Sequence, residues 1–104
     1  MARDPLVLIQ VKALLSEISQ MAPGHAVELR IPPFAAIQCC EGPKHTRGTP
    51  PNVVEMGAEE LFALIDGSLK WSDGVSDGRI TASGERSDLT QLFLQASRTI
   101  RIAE

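Results

Sequence analysis

Residues 58–84 read AEELFALIDGSLKWSDGVSDGRITASG, and this stretch decides the fold. Apolar side chains recur at helical spacing in its first part, and Gly67 and Gly78 are the expected ends of two successive helices. Residues 79–83 then alternate apolar and polar side chains, which predicts a β-strand ending before Gly84. No nucleophile, metal-binding cluster or phosphate-binding loop interrupts the apolar positions. We therefore expect function to lie in an apolar space between helices and a sheet.

The residues at the start of the chain predict an amphipathic helix. Asp4 is a good N-cap, and Pro5 suits the first helical position because its missing N–H would have no helical partner. From Val7 to Met21 apolar residues recur every three or four positions, which is typical of a helix facing a core.

Three short apolar runs predict strands, at residues 27–31, 35–40 and 53–56. The first two are separated by a short connection around Pro32-Pro33 and favour an antiparallel hairpin. Residues 41–52 contain three prolines and two glycines, which excludes a regular element. A loop of this length in a compact domain is more often functional or mobile than accidental.

The last third of the chain predicts a short helix, a strand and a closing helix. Ser72 is the expected N-cap of a helix through Asp77, and Ser87 or Asp88 is the expected cap of the closing helix. Residues 99–104 are open to three interpretations: further helix packing, a short strand, or contact with a partner chain. The order of elements indicates one α+β domain over residues 1–104, with helices packed against a mostly antiparallel sheet.

Composition limits the classes of function. The formal charge of −3 and the pI near 5.3 argue against general nucleic-acid binding, which needs a basic surface. No run is long and apolar enough to span a bilayer, and no secretory leader is recognisable. We therefore expect a cytoplasmic protein without a transmembrane segment.

The two cysteines, Cys39 and Cys40, are adjacent. Neighbouring strand residues point to opposite faces, so a disulfide between them would be strained. Their spacing fits no C-x-x-C metal or redox motif, and we expect two reduced, structural thiols. The acidic residues match no metal-binding loop, so no metal or cofactor is predicted.

Residues 66–84 resemble the signature half of the sterol carrier protein domain, type 2-like. In that family a helix ends in a glycine, and a short helix leads to a second glycine. A basic residue, an alternating strand and another glycine follow, and a helix closes over the sheet. The positions that match this order are Gly67, Gly78, Arg79, Ile80, Gly84 and the run from Leu89 to Leu94. Residues 41–55 resemble a subgroup of small actinobacterial sterol-carrier-family proteins.

The resemblance implies a sheet of four to five strands covered by helices, with an apolar cavity for lipids or other hydrophobic molecules and no cofactor. The predicted ligand-binding residues, from apolar faces that also include Leu64, are Leu61, Phe62, Ile65, Trp71, Val75, Leu92 and Phe93. His45 and Arg47 are predicted to form a polar mouth, where Arg47 would bind a carboxylate or phosphate head group. Alternatively, Arg47 pairs with Glu41 or Glu55 and only fixes the loop.

Three functions are compatible with these residues. The first is a non-enzymatic carrier of a lipid or another hydrophobic small molecule. The second is an interaction module with a filled core, of which a homodimer is the simplest case. The third, a small hydrolase or isomerase using His45, ranks last because no orienting acid and nucleophile occur at a recognisable spacing.

Overall fold

The structure is a computed structural model that describes residues 4–43 and 52–100. Its elements, in chain order, are α1 (Pro5–Met21), β1 (Val27–Ile31), β2 (Ala35–Cys39), β3 (Val53–Met56), α2 (Ala58–Asp66), α3 (Trp71–Ser76), β4 (Ile80–Ser83) and α4 (Thr90–Thr99). The α+β class is confirmed by this order of helices and strands.

Helix α1 begins as its sequence predicts. The Asp4 carboxylate accepts a hydrogen bond from the Leu6 N–H at 2.9 Å, and Pro5 occupies the first turn. The buried residues of the helix are Val11, Leu14, Leu15 and Ile18, whose spacing gives one apolar stripe. This stripe packs against β2 and attaches the helix to one edge of the sheet.

The four strands of the described residues form one mixed sheet in the order β2-β1-β3-β4. Strand β1 pairs antiparallel with β2, and β3 pairs antiparallel with β4. Strand β1 also pairs with β3, and this central pairing is parallel, with Leu29 opposite Val54. Of the four to five strands expected, the described residues contain four, and the mostly antiparallel sheet that was expected is a mixed one, with two antiparallel pairings and one parallel pairing. The parallel pairing follows from the register: β2 ends at Cys39 opposite Val27, at the start of β1, and β3 begins at Val53 opposite Glu28 on the other side of β1.

One face of the sheet carries the core. Val27, Leu29 and Ile31 alternate along β1 and are fully buried, while Glu28 and Arg30 lie on the opposite face and form an ion pair. Helix α1 packs on β2 and α3 packs on β4, while α2 and α4 pack against each other. The strands therefore present an apolar face to a layer of helices, and the other face is polar.

A buried asparagine joins three segments at one end of the sheet. The Asn52 side-chain amide donates to the Ala26 carbonyl at 2.8 Å, and its carbonyl oxygen accepts from the Arg86 N–H at 2.9 Å. Its backbone carbonyl accepts from the Glu28 N–H at 2.9 Å. Because the residue is only 5 % exposed, these bonds replace water that its polar atoms have lost. Asn52 thus fixes the start of β3 beside β1.

Several predicted boundaries were wrong by one or two residues, among them the end of β2, which lies at Cys39 rather than Cys40. Helix α3 begins at Trp71, with Lys70 rather than Ser72 as its N-cap, and β4 begins at Ile80. Helix α4 begins at Thr90, and Asp88 stabilises this end because its carboxylate accepts a hydrogen bond from the Thr90 N–H at 3.0 Å. At α3 the local preference for a serine cap is overridden because Trp71 packs into the helix layer.

Candidate functional site

An open apolar cleft of about 370 Å³ lies where the link between α2 and α3 meets α4. Its apolar wall consists of Leu64, Leu69, Trp71, Phe93 and Leu94. Its polar groups come from Lys70, Ser72, Thr90 and Ser97, and Gly67 completes the lining. An apolar concave surface with a few polar groups is the usual form of a small-molecule site.

A stacked aromatic pair forms part of the cleft wall. The rings of Trp71 and Phe93 have centroids 5.9 Å apart and planes inclined by 15°. Trp71 begins α3 and Phe93 lies in α4, so the stack holds these two helices together. Both side chains are at least 90 % buried.

The turn between α2 and α3 brings Lys70 and Trp71 to the cleft. Gly67 ends α2 with φ +86°, a conformation that glycine adopts at little cost. The Ser68 N–H donates to the Asp66 carboxylate at 2.8 Å, and hydrogen bonding to Ser68 holds the pKa of Asp66 below its usual range. The Leu69 N–H donates to the Ala63 carbonyl at 3.1 Å, which directs the chain back along α2.

The predicted ligand-binding residues divide between the cleft and other places. Trp71 and Phe93 line the cleft. Leu61 and Ile65 lie in the core with no more than 1 % exposure, and the partly buried Phe62 and Leu92 pack against that core. Val75 is 39 % exposed and is not part of the cleft lining. Ligand contact by any of these residues stays a prediction.

On the α4 side of the cleft the sequence interpretation identified Phe93 but missed Thr90, Leu94 and Ser97. Thr90, Phe93, Leu94 and Ser97 follow the i, i+3, i+4, i+7 spacing of one helix face. This face is adjacent to the core stripe of the same helix, where Ala96 is fully buried. The signal that marks it is Leu94, an apolar residue at the border of that stripe that remains 44 % exposed. Lys70 carried no signal in the sequence, because its place at the cleft depends on the turn.

The predicted polar mouth, His45 and Arg47, lies outside the described residues, as does most of the loop that contains it. Within residues 4–43 and 52–100, no group of three or more His, Cys, Asp or Glu side chains is arranged to hold a metal ion. No helix in that part of the chain is both long enough and apolar enough to cross a membrane.

The family described as "Bacterial SCP ortholog" matches residues 4–94 of the chain. The chain belongs to this family of sterol carrier protein (SCP) relatives. A search of the curated proteins gave no match.

Two solved structures share the SCP fold over nearly the whole chain. One, titled "UbiJ-SCP2 Ubiquinone synthesis protein", is 16 % identical and has a TM-score of 0.53, with 94 % of each chain covered. The other is the solution structure of sterol carrier protein domain 2 of Helicoverpa armigera, 20 % identical with a TM-score of 0.51 and 99 % of each chain covered. At these identities the similarity establishes the fold, which is SCP2-like.

Proposed function

We propose that this SCP-family protein binds a hydrophobic small molecule of the lipid class in the cleft between α2, α3 and α4 and carries it without changing it chemically. The observation that carries the proposal is the apolar cleft of about 370 Å³ with its stacked Trp71–Phe93 wall. Membership of the SCP family and the SCP2-like fold support the same class of ligand. The closer resemblance of residues 41–55 to small actinobacterial members stays a prediction, as does a cytoplasmic location.

The size of the cleft restricts the ligand. A volume of about 370 Å³ lies at the lower end of the range of roughly 300–1,000 Å³ that is typical of small-molecule sites. Because the cleft is open to the surface, it fits a compact ring system or one end of a longer chain. The remainder of a long ligand would extend past Leu94, the most exposed apolar residue of the wall.

The polar groups at the cleft favour an amphiphile over a pure hydrocarbon. Burying about 200 Å² of apolar surface contributes roughly 5 kcal/mol, whereas micromolar binding corresponds to about 8 kcal/mol. The loss of translational freedom widens this difference. Lys70 is exposed at the cleft and supplies an ammonium group, and Ser72 and Ser97 supply hydroxyl groups. We therefore propose that the ligand has a polar or anionic head group that faces Lys70.

Fluorescence titration tests this proposal directly. Trp71 is the only tryptophan in the chain, so its emission reports on the cleft alone. Delipidated protein should change its Trp71 emission on titration with a fatty-acyl or polycyclic probe. Failure of both probes to change the emission, together with no retained probe after gel filtration, would refute the proposal.

A matched pair of variants locates the binding. Leu94→Asp places a charge in the cleft wall and should weaken binding about tenfold, or about 1.4 kcal/mol. Val75→Asp is the control, because Val75 has similar exposure but lies outside the lining. Equal losses in the two variants would contradict binding in this cleft and return Val75 to consideration as a ligand residue.

A second pair tests the head group. Lys70→Glu should weaken the binding of an anionic probe more than that of a neutral probe. Lys12→Glu, on the exposed side of α1, should leave the binding of both probes unchanged. Native mass spectrometry of the protein from its own cells, followed by organic extraction, then gives the mass of the natural ligand.

The alternative function, an interaction module or homodimer with no ligand, stays a prediction. Sedimentation of the extracted protein over a range of concentrations tests it on the same sample. A constant monomer mass together with probe uptake supports the carrier, and concentration-dependent mass with no uptake supports the interaction module.

A further inference from the structure

The two adjacent cysteines come together at the end of β2. Strand β2 ends at Cys39, whose side chain is fully buried on the core face. Cys40 follows with φ +73°, the left-handed conformation that is uncommon for residues other than glycine. The two sulfur atoms lie 3.6 Å apart. The expectation that the side chains point to opposite faces was therefore wrong, because Cys40 is no longer in an extended strand.

The conformation of Cys40 is held by its backbone on both sides. Its N–H donates to the Ala22 carbonyl at 2.7 Å, and its carbonyl oxygen accepts from the Ala26 N–H at 3.1 Å. Gly24 packs so closely on this carbonyl that a Cβ atom built there would lie 2.0 Å from the oxygen. The convergence of the sulfur atoms is thus fixed by the connection between α1 and β1.

The two thiols are chemically unequal. Both are free, but Cys39 is buried whereas Cys40 is partly exposed. Either sulfur can donate in the neutral pair, but the partly exposed Cys40 is the one whose thiolate water can stabilise. A hydrogen bond from Cys39 lowers the pKa of Cys40 from 9.0 to about 7, and the same hydrogen bond together with burial raises the pKa of Cys39. Cys40 is accordingly the more nucleophilic sulfur at neutral pH.

We propose that Cys39 and Cys40 form a reversible two-thiol redox site, in which Cys40 reacts with a hydroperoxide and Cys39 resolves the product as an intramolecular disulfide. In the first step the Cys40 thiolate attacks the terminal peroxide oxygen, so that an S–O bond forms, the O–O bond breaks, and the alkoxide or hydroxide leaves and takes a proton from water to give the alcohol or water. In the second step the Cys39 sulfur attacks the Cys40 sulfenic acid, loses its proton, and releases water as the S–S bond forms. The sulfurs lose two electrons in total, and the hydroperoxide gains them.

The product should be easily reduced. Consecutive Cα atoms are about 3.8 Å apart across a trans peptide, which is below the usual range of about 4.4–6.8 Å for a disulfide. Such strained disulfides are the labile ones, so a glutathione-class thiol should return the site to its dithiol form. The site therefore differs from a structural disulfide and is separate from the proposed ligand cleft.

Intact mass spectrometry with peptide mapping tests the proposal. Reduced wild-type protein treated with hydrogen peroxide should lose two hydrogen atoms as a monomer, with the change in the peptide that contains Cys39 and Cys40, and reduced glutathione should reverse it. Cys39→Ala should instead accumulate a sulfenic acid on Cys40 that dimedone traps, and it should form more slowly at neutral pH because the hydrogen bond that lowers the Cys40 pKa is lost. Cys40→Ser should give neither product, because the remaining thiol is buried.

Circular dichroism shows whether each variant folds, and phenylarsine oxide provides a second measurement on the unmutated chain. This reagent bridges two convergent sulfurs, so one equivalent should bind wild-type protein and block the oxidation. The proposal is overturned if wild-type protein forms only intermolecular disulfides or over-oxidised Cys40. It is also overturned if folded Cys40→Ser oxidises at Cys39 as fast as wild type does, or if phenylarsine oxide does not bind.

Discussion

Replacing Gly24 by alanine should destabilise the protein far more than replacing Gly67, although both glycines have positive φ. At Gly24, with φ +142°, the added Cβ atom would lie 2.0 Å from the Cys40 carbonyl oxygen and 2.4 Å from its carbon. Contacts under 3.0 Å essentially never occur for a Cβ atom, so the backbone must move by about 1 Å. At Gly67, with φ +86°, the new atom meets nothing within 4 Å.

The expected losses of unfolding free energy follow from the hydrogen bonds that this backbone movement breaks. The backbone of Cys40 makes two hydrogen bonds, to Ala22 and Ala26, each contributing about 1 kcal/mol to the free energy of unfolding. Backbone strain at Gly24 adds roughly 1–3 kcal/mol. We expect Gly24→Ala to cost about 3–5 kcal/mol, a large part of the roughly 5–15 kcal/mol that stabilises a domain. Gly67→Ala should cost only about 1–2 kcal/mol, for the left-handed conformation alone.

Urea unfolding followed by far-ultraviolet circular dichroism measures both losses, with an unchanged slope against urea as the check on two-state behaviour. The Gly67→Ala protein is the control for conformational strain without a clash. Equal losses of unfolding free energy, or a smaller loss for Gly24→Ala, would show that the backbone around Cys40 moves at little cost and would refute the reasoning.

Three further predictions concern stability and are checked by the same unfolding measurement. Gly74→Ala should cost about 1 kcal/mol, because the added Cβ atom would lie 2.4 Å from Cδ1 of the buried Ile80. The cost of this overpacking exceeds the gain in helix propensity, so a variant more stable than wild type would contradict the prediction. Asn52→Ala should cost about 2–3 kcal/mol through two lost hydrogen bonds, and a loss below about 0.5 kcal/mol would mean that water replaces them. Asp88→Ala should cost about 1 kcal/mol at neutral pH. Hydrogen bonds from Thr90 lower the folded pKa of Asp88, so this stabilisation is present above the unfolded pKa near 3.9 and disappears as the pH falls through the folded value. The Asp88→Ala and wild-type proteins should therefore become equally stable in acid, and a constant difference would contradict this.

The helices were predictable where their signals are local. Asp4 and Pro5 fix the start of α1, and Gly67 fixes the end of α2, because each acts through hydrogen bonds or dihedral angles within one turn. The start of α3 was not predictable in this way. Trp71 enters the helix because it stacks on Phe93, which is distant in sequence.

The order of the strands in the sheet could not be predicted from the sequence, for a related reason. Alternation in residues 27–31 and 53–56 indicates which side chains share a face, but it does not indicate which strand lies beside which. The parallel pairing of β1 with β3 depends on which side of β1 receives β3, and the local pattern of neither strand carries that information.

The candidate cleft was predictable only as far as its helices were. Helical spacing correctly groups Leu61 with Ile65, but both are core residues. The residue of α2 that lines the cleft is the neighbouring Leu64. Two adjacent stripes of one helix look alike in sequence, and the packing of α2 against α4 decides which stripe faces the core and which lines the cleft. Exposure does not distinguish the cleft either, because Leu94 of α4 lines it whereas the similarly exposed Val75 of α3 does not.

The two proposed sites lie toward opposite edges of the sheet, and this separation makes each a control for the other. Cys39 ends β2 at one edge, whereas α3 with Trp71 packs on β4 at the other. Three strand spacings of about 4.8 Å separate these edges by roughly 14 Å, beyond the distance at which substitutions usually interact. Oxidation of the thiol pair should therefore leave probe affinity unchanged, and Leu94→Asp should leave the thiols as reactive as before. A change of affinity on oxidation would instead mean that α1, which contacts both β2 and α2, connects the two sites.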